Sequence, residues 1–219
     1  MNTTTRTESK NAIEYVAKLT NEVEKLATSI QSALSDALEK ADQGWILAEQ
    51  SEDDQSNTSG WLYTDSAWSV GLKRNGKGKK PTICHIGYQI SLMGDGIPPH
   101  ISEPVVHIYC WGDFVSFEEE YYVGFPLDPE EERSIEDDCL IVFSSTTEKR
   151  TWDQGQWTFS LKLMSINSDT EVKDFIIEPA LRLMQGQRAS SALKEAISAN
   201  AIILYTPEHI EPSQPHEAP

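Results

Sequence analysis

The sequence is poor in cysteine and has no long apolar run. Cys84, Cys110 and Cys139 are the only three cysteines in 219 residues. Their number is odd, no CxxC occurs, and each sits inside an apolar stretch. That pattern argues against a disulfide framework and against a thiolate zinc site. It predicts buried thiols in a reducing compartment. No segment approaches the roughly 18 apolar residues that a membrane span needs. The opening residues, MNTTTRTESKNAIEY, lack the apolar core of a secretory signal. A cytoplasmic protein without membrane association is the expectation.

Motifs of catalysis and metal binding are also missing. There is no GxSxG, no GxxxxGK[ST], and no His-x-x-x-His or Glu-x-x-His pair. His107 and Cys110 in HIYC resemble a ligand pair, but on a strand they face opposite ways. Cys84 and His85 fail for the same reason. Glu171-x-Lys173 matches only the end of a carboxylate–lysine nuclease set, at a length expected by chance. No metal and no cofactor is expected.

Acidic charge, by contrast, is abundant. The net charge is −17. Residues 101–150 hold thirteen carboxylates against three basic residues, so one span of fifty carries −10 of it. Such a field disfavours direct nucleic-acid binding and favours a basic protein surface as partner. Its centre is GFPLDPEEERSIEDDCLIV, 124–142. Asp128 before Pro129, followed by Glu130 and Glu131, is what a helix start prefers, so a short surface helix is predicted over DPEEERSIEDD. Glu136, Asp137 and Asp138 would then sit at the helix end that disfavours them. With Glu118, Glu119, Glu120 and Glu132 they form the candidate partner-binding surface. The stretch lacks the alternating oxygen ligands and turn glycine of a calcium loop.

The counterweight is LKRNGKGKKP, in which Lys73, Arg74, Lys77, Lys79 and Lys80 cluster about an Asn-Gly hairpin turn. They are candidates for contact to phosphate, to an acidic partner, or to the acidic patch of a second copy in a homo-oligomer.

The pattern along the chain predicts an α+β protein. Residues 8–42 contain no Pro or Gly and read as one helix. Ala12, Val16, Leu19, Val23, Leu26, Ile30, Ala33 and Ala37 alternate in steps of four and three, with Val16, Val23 and Ile30 at a-type and Leu19 and Leu26 at d-type positions. Leu34 and Leu38 widen the stripe, as in a helix lying on a globular core. Residues 1–44 are therefore expected to be a helix that docks on its own domain or forms part of a coiled coil.

Residues 45–60 are expected to be a polar loop, residues 61–206 an α+β core, and residues 207–219 a disordered tail. The core should hold an antiparallel sheet of five or six strands, two C-terminal helices, the first kinked or split at Pro179, and a late strand at IILYTP. In the strands TICHIGYQISL and EPVVHIYCWG, His85, Gln89 and His107, with Asp65 upstream, are polar residues on sheet faces that could converge on a pocket. The expected function is a cytoplasmic, non-enzymatic protein-binding factor of the inhibitor, immunity or accessory type, using the acidic surface. A small-molecule binder or enzyme with its pocket on the sheet, and a coiled-coil assembly module, are the alternatives.

Overall fold

The computed structural model describes residues 3–41, 44–59, 62–119, 122–128, 131–143, 152–153 and 155–210. The chain begins with helix α1 (Thr3–Lys40) and then builds a seven-stranded antiparallel sheet. The strands are β1 (Trp45–Ser59), β2 (Leu62–Arg74), β3 (Cys84–Ser91), β4 (Val105–Trp111), β5 (Arg133–Glu136), β6 (Leu140–Phe143) and β7 (Gln156–Lys162). Their order is β1-β2-β3-β4-β7-β6-β5. Short helices follow: α2 (Asp169–Val172), running through a π-helical turn at Lys173–Ile177 into α3 (Glu178–Met184), then α4 (Ala189–Ala192), α5 (Lys194–Ser198) and α6 (Pro207–Ile210).

The sheet has seven strands, not five or six, and both additional strands are its edges. Residues 45–60, expected as a polar loop, pair with β2 from Trp45 opposite Arg74 to Ser59 opposite Leu62, with register shifts after Leu47 and Asn57. The open edge of β2 supplies unpaired backbone groups, and a ladder of backbone bonds needs no apolar alternation. The polar, carboxylate-rich sequence suits an edge strand, since charge deters pairing with another chain. Likewise, the helix expected over DPEEERSIEDD is replaced by the hairpin of β5 and β6, Arg133 pairing with Phe143 and Ile135 with Ile141. Asp137 and Asp138 make its turn at φ 52 and 58, a left-handed geometry that aspartate tolerates better than most residues. Tertiary pairing overrides the helix-start signal of Asp128 and Pro129.

Two cores flank the sheet. On one face Val70, Leu72, Ile86, Ile90, Ile108 and Phe159 meet Ile30, Leu34 and Leu38 of α1 and the buried sides of α2–α5. On the other, Tyr109, Trp111 and Ile141 are covered by Val115, Val123 and Phe125 from loops and by Ile203, Tyr205 and Ile210 from the C-terminal segment. All seven residues of β4 are buried, as expected for a central strand.

The expected late strand is an extended segment joined to β7 by one bridge, Ile202 to Leu161. Residues 207–210, expected within the tail, form α6, and Ile210 is buried. Pro179 sits at the start of α3, directly after the π-helical turn. Proline has no N–H and crowds the preceding turn, and the wider turn relieves both demands.

Candidate functional site

The four polar residues singled out on the sheet share one face, the one covered by loops. Register places Asp65 opposite Ser91, Gln89 opposite His107 and His107 opposite Ser160. His85 is on the same face but four residues from Gln89, about 13 Å along the strand, where Phe114 meets its ring edge-on at 6.0 Å. Asp65, Gln89 and His107 therefore form a cluster and His85 stands outside it.

The cluster is closed. Gln89 and His107 are fully buried and Asp65 is 4% exposed. Gln89 donates to Ser91 Oγ at 3.0 Å and to the Phe125 carbonyl at 3.4 Å, and accepts the Val123 N–H at 3.4 Å. Its amide thus clamps the loop that lies over it. His107 Nε2 lies 2.8 Å from the Gly96 carbonyl and Nδ1 lies 2.6 Å from Ser160 Oγ. A carbonyl only accepts, so Nε2 carries the proton and Nδ1 accepts from the Ser160 hydroxyl. The Ser160 oxygen in turn accepts from Tyr205. Every proton in this chain has a fixed direction. Burial pushes His107 down to about 4, with the Gly96 bond opposing, so the ring is neutral at neutral pH.

Two glycines allow the lid to close this tightly. A Cβ on Gly124 would stand 2.7 Å from the His107 ring, and one on Gly96 would stand 2.3 Å from Asp65 Oδ1 and Ser91 Oγ. Burial raises the Asp65 carboxyl, while bonds from Ser91 and Thr64 lower it; Oδ1 has no hydrogen-bond partner among the described residues. Ser160, Tyr205 and the two glycines were not singled out from the sequence. A serine in β7 and a tyrosine in an apolar stretch give no local sign that they meet. His107 and Cys110 do face opposite ways, since Cys110 lies opposite Ile86 in the helix-side core.

The acidic stretch is partly spoken for within the molecule. Glu136 Oε1 accepts the Ala189 N–H at 2.8 Å, and Asp137 Oδ2 accepts the Ser190 N–H at 2.9 Å. Arg188 donates to Asp137 Oδ1 at 3.0 Å. The Ser190 hydroxyl and N–H, with Arg188 beside them, hold Asp137 below the usual carboxylate range. Two carboxylates that a helix end would disfavour are thus docked on the opening turn of α4. Glu118, Glu132 and Asp138 remain exposed. The Asp138 carbonyl accepts the Tyr205 N–H at 2.8 Å. Glu120 and the side chain of Glu119 lie outside the described residues.

In the basic hairpin, Lys77, Lys79 and Lys80 are exposed and Lys73 is half-buried. Arg74 is ion-paired with Asp153, and the Asn75 N–H ties the turn to the Gly44 carbonyl at 2.8 Å. The structure does not bring this hairpin and the acidic stretch into contact by any ion pair among the described residues.

Helix α1 divides into two halves. Ile30, Leu34 and Leu38 are at most 1% exposed, whereas Ile13 is 59% and Tyr15 65% exposed. Val16, Leu19, Val23 and Leu26 are half-buried. A groove of about 540 Å³ runs between this part of α1 and the residues after β7, with Leu19, Val23 and Leu26 on one wall and Leu163, Met164 and Ile166 on the other. Lys10–Glu14 and Lys25–Glu22 pair at 3.5 Å along the helix surface.

Among the described residues no group of three or more histidine, cysteine or carboxylate side chains is placed to hold a metal, and no helix is long and apolar enough to cross a membrane. Compared with protein families, with curated proteins and with solved structures, the chain matches none.

Proposed function

We propose that this chain is a protein-binding factor, of the inhibitor, immunity or accessory kind, and that the amino-terminal half of α1 is its principal contact element. The observation that carries this reading is the exposure of Ile13 and Tyr15, 59% and 65%, on a helix whose other half buries Ile30, Leu34 and Leu38. They flank the half-buried stripe of Val16 and Leu19 on opposite sides. Large apolar side chains left uncovered are typical of interaction sites. The three free thiols, all buried, suit a reducing compartment such as the cytoplasm.

The test is capture of a partner from the source cell by wild type and by a Val16→Glu/Leu19→Glu variant. Wild type should retain a partner that the variant loses. Equal capture by both, or none by either, rejects α1 as the contact element.

A second surface has narrower support. Glu118, Glu132 and Asp138 are exposed acidic positions that suit a basic partner. Reversing all three to lysine should then weaken a salt-sensitive complex. The pocket reading has the least support. Gln89 and His107 are sealed beneath backbone that approaches too closely for a ligand to enter without displacing the loops at Gly96 and Gly124.

A further inference from the structure

We infer that α6 is an acid-released latch: protonation of His209 at Nδ1 unties its first turn, and protonation of the stacked His100 drives the two rings apart. This inference does not depend on α1 being a contact element.

The hydrogen bonds fix where each proton sits. The Thr206 N–H donates to His209 Nδ1 at 3.1 Å, and the His209 N–H donates back to the Thr206 carbonyl at 2.9 Å. Thr206 stands just before Pro207, the first residue of α6. His209 thus closes on it as glutamate or glutamine does in a capping box. A backbone N–H only donates, so Nδ1 is bare and Nε2 carries the proton. The bond exists only while the ring is neutral. A proton on Nδ1 sets two donors against each other. It also puts positive charge at a helix start, where the unpaired N–H groups disfavour it.

The second observation is the stack. His100, from the loop between β3 and β4, lies flat on His209, with ring centres 3.6 Å apart and planes at 4°. Its Nε2 donates to the Leu204 carbonyl at 3.2 Å, and Tyr205 meets its ring edge-on at 5.9 Å. Two neutral imidazoles can stack in this way, whereas two imidazolium ions repel. Burial lowers His100, and His209 adds to the lowering, against the bond to Leu204. The other charged groups on the packed elements do not offset this. Asp95 and Glu103, from the loop that carries His100, and Arg133 of β5 line one groove with His209, and Glu208 belongs to α6 itself. The Arg133 guanidinium has Glu131 and Asp128 as its charged neighbours, and its Nε donates to the Ile210 carbonyl at 2.7 Å. Among the described residues no carboxylate is hydrogen-bonded to either ring.

The latched form holds the neutral ring, so the free form takes up the proton more readily. The latch is therefore whole above the range in which histidines titrate and loosens as the pH falls through it. Ile210, buried in the loop-side core, leaves with α6. Release stops at Tyr205, because the Asp138 carbonyl holds the Tyr205 N–H at 2.8 Å and the Ser160 carbonyl holds the Ile203 N–H at 2.8 Å. The His107 cluster stays closed.

Amide-exchange protection at Thr206 and His209 of the full chain, read by NMR, should fall by about tenfold or more between about pH 7.5 and about pH 5. His209→Gln keeps an acceptor that cannot be protonated in this range, and should hold its protection throughout. His209→Glu, a common capping-box residue, should do the same. His107 is intact in both, so any fall owed to His107 would persist there. His100→Gln should show a smaller fall than wild type. A flat wild-type profile overturns the inference, as does an equal fall in His209→Gln and His209→Glu. Loss of protection at both pH values in both variants overturns the capping role, and an equal fall in His100→Gln overturns the part assigned to the stack.

Discussion

The Asp137 carboxylate accepts the backbone N–H of Ser190 at 2.9 Å across 53 positions of sequence. The bond joins the tip of an edge hairpin to the start of α4. It gives a structural reason for charge that would otherwise look like surplus on an acidic surface. Replacing Asp137 with Ala removes a cap and its Arg188 contact, and should lower unfolding free energy by about 1 kcal/mol. Urea titration at neutral pH measures it. Because Asp137 is held below its ordinary range, the stabilisation is complete above the ordinary carboxylate pKa and fades as pH falls through the lowered one. The loss caused by Asp137→Ala should therefore shrink in strong acid.

His107 gives a second pH dependence at higher pH. Its folded value is about 4 against the 6.5 of an unperturbed histidine. Between those values the unfolded chain binds the proton and the folded chain does not, so stability falls as pH drops from 6.5 toward 4. The full drop is on the order of 3 kcal/mol. Urea midpoints at closely spaced pH values should decline through this window and flatten above it. A flat profile would mean that the buried ring is charged or solvated.

The lid over His107 depends on Gly124. Gly124→Ala places a methyl 2.7 Å from the ring and should cost about 1–3 kcal/mol through overpacking. At Gly112 the nearest atom is the Nε2 of a flexible glutamine side chain, Gln156, at 3.0 Å. Gly112→Ala should therefore cost distinctly less. Thermal unfolding of the two variants side by side makes the comparison.

The two halves of α1 should separate in a mutational scan. Leu34 is fully buried, and Leu34→Ala should cost about 2–5 kcal/mol. Tyr15→Ala should change the unfolding of the single chain by no more than about 0.5 kcal/mol. Both are measured at a protein concentration too low for association. A large loss at Tyr15 would place it in the chain's own core.

Local pattern alone made much of the sheet legible. Strict alternation in β3 sets Cys84, Ile86, Tyr88 and Ile90 against His85, Gly87, Gln89 and Ser91, and the structure sends those two sets to opposite cores. The long helix was equally plain from its composition and spacing. The edges were not, because β1 is a strand through its hydrogen bonds to β2 rather than through its side chains, and β5 forms against a helix-start signal.

The sequence by itself determined the fold class and, on β3, the parity that sets His85 and Gln89 against Ile86 and Ile90, because side-chain period is a local property. Only the tertiary structure decided what those residues do. It closed Gln89 and His107 under loops from Gly96 and Gly124, and turned Glu136 and Asp137 inward onto Ala189 and Ser190. It also left Ile13 and Tyr15 uncovered. These outcomes depend on which distant segments meet, and a backbone N–H that will donate to a distant carboxylate leaves no mark in the residues that supply it.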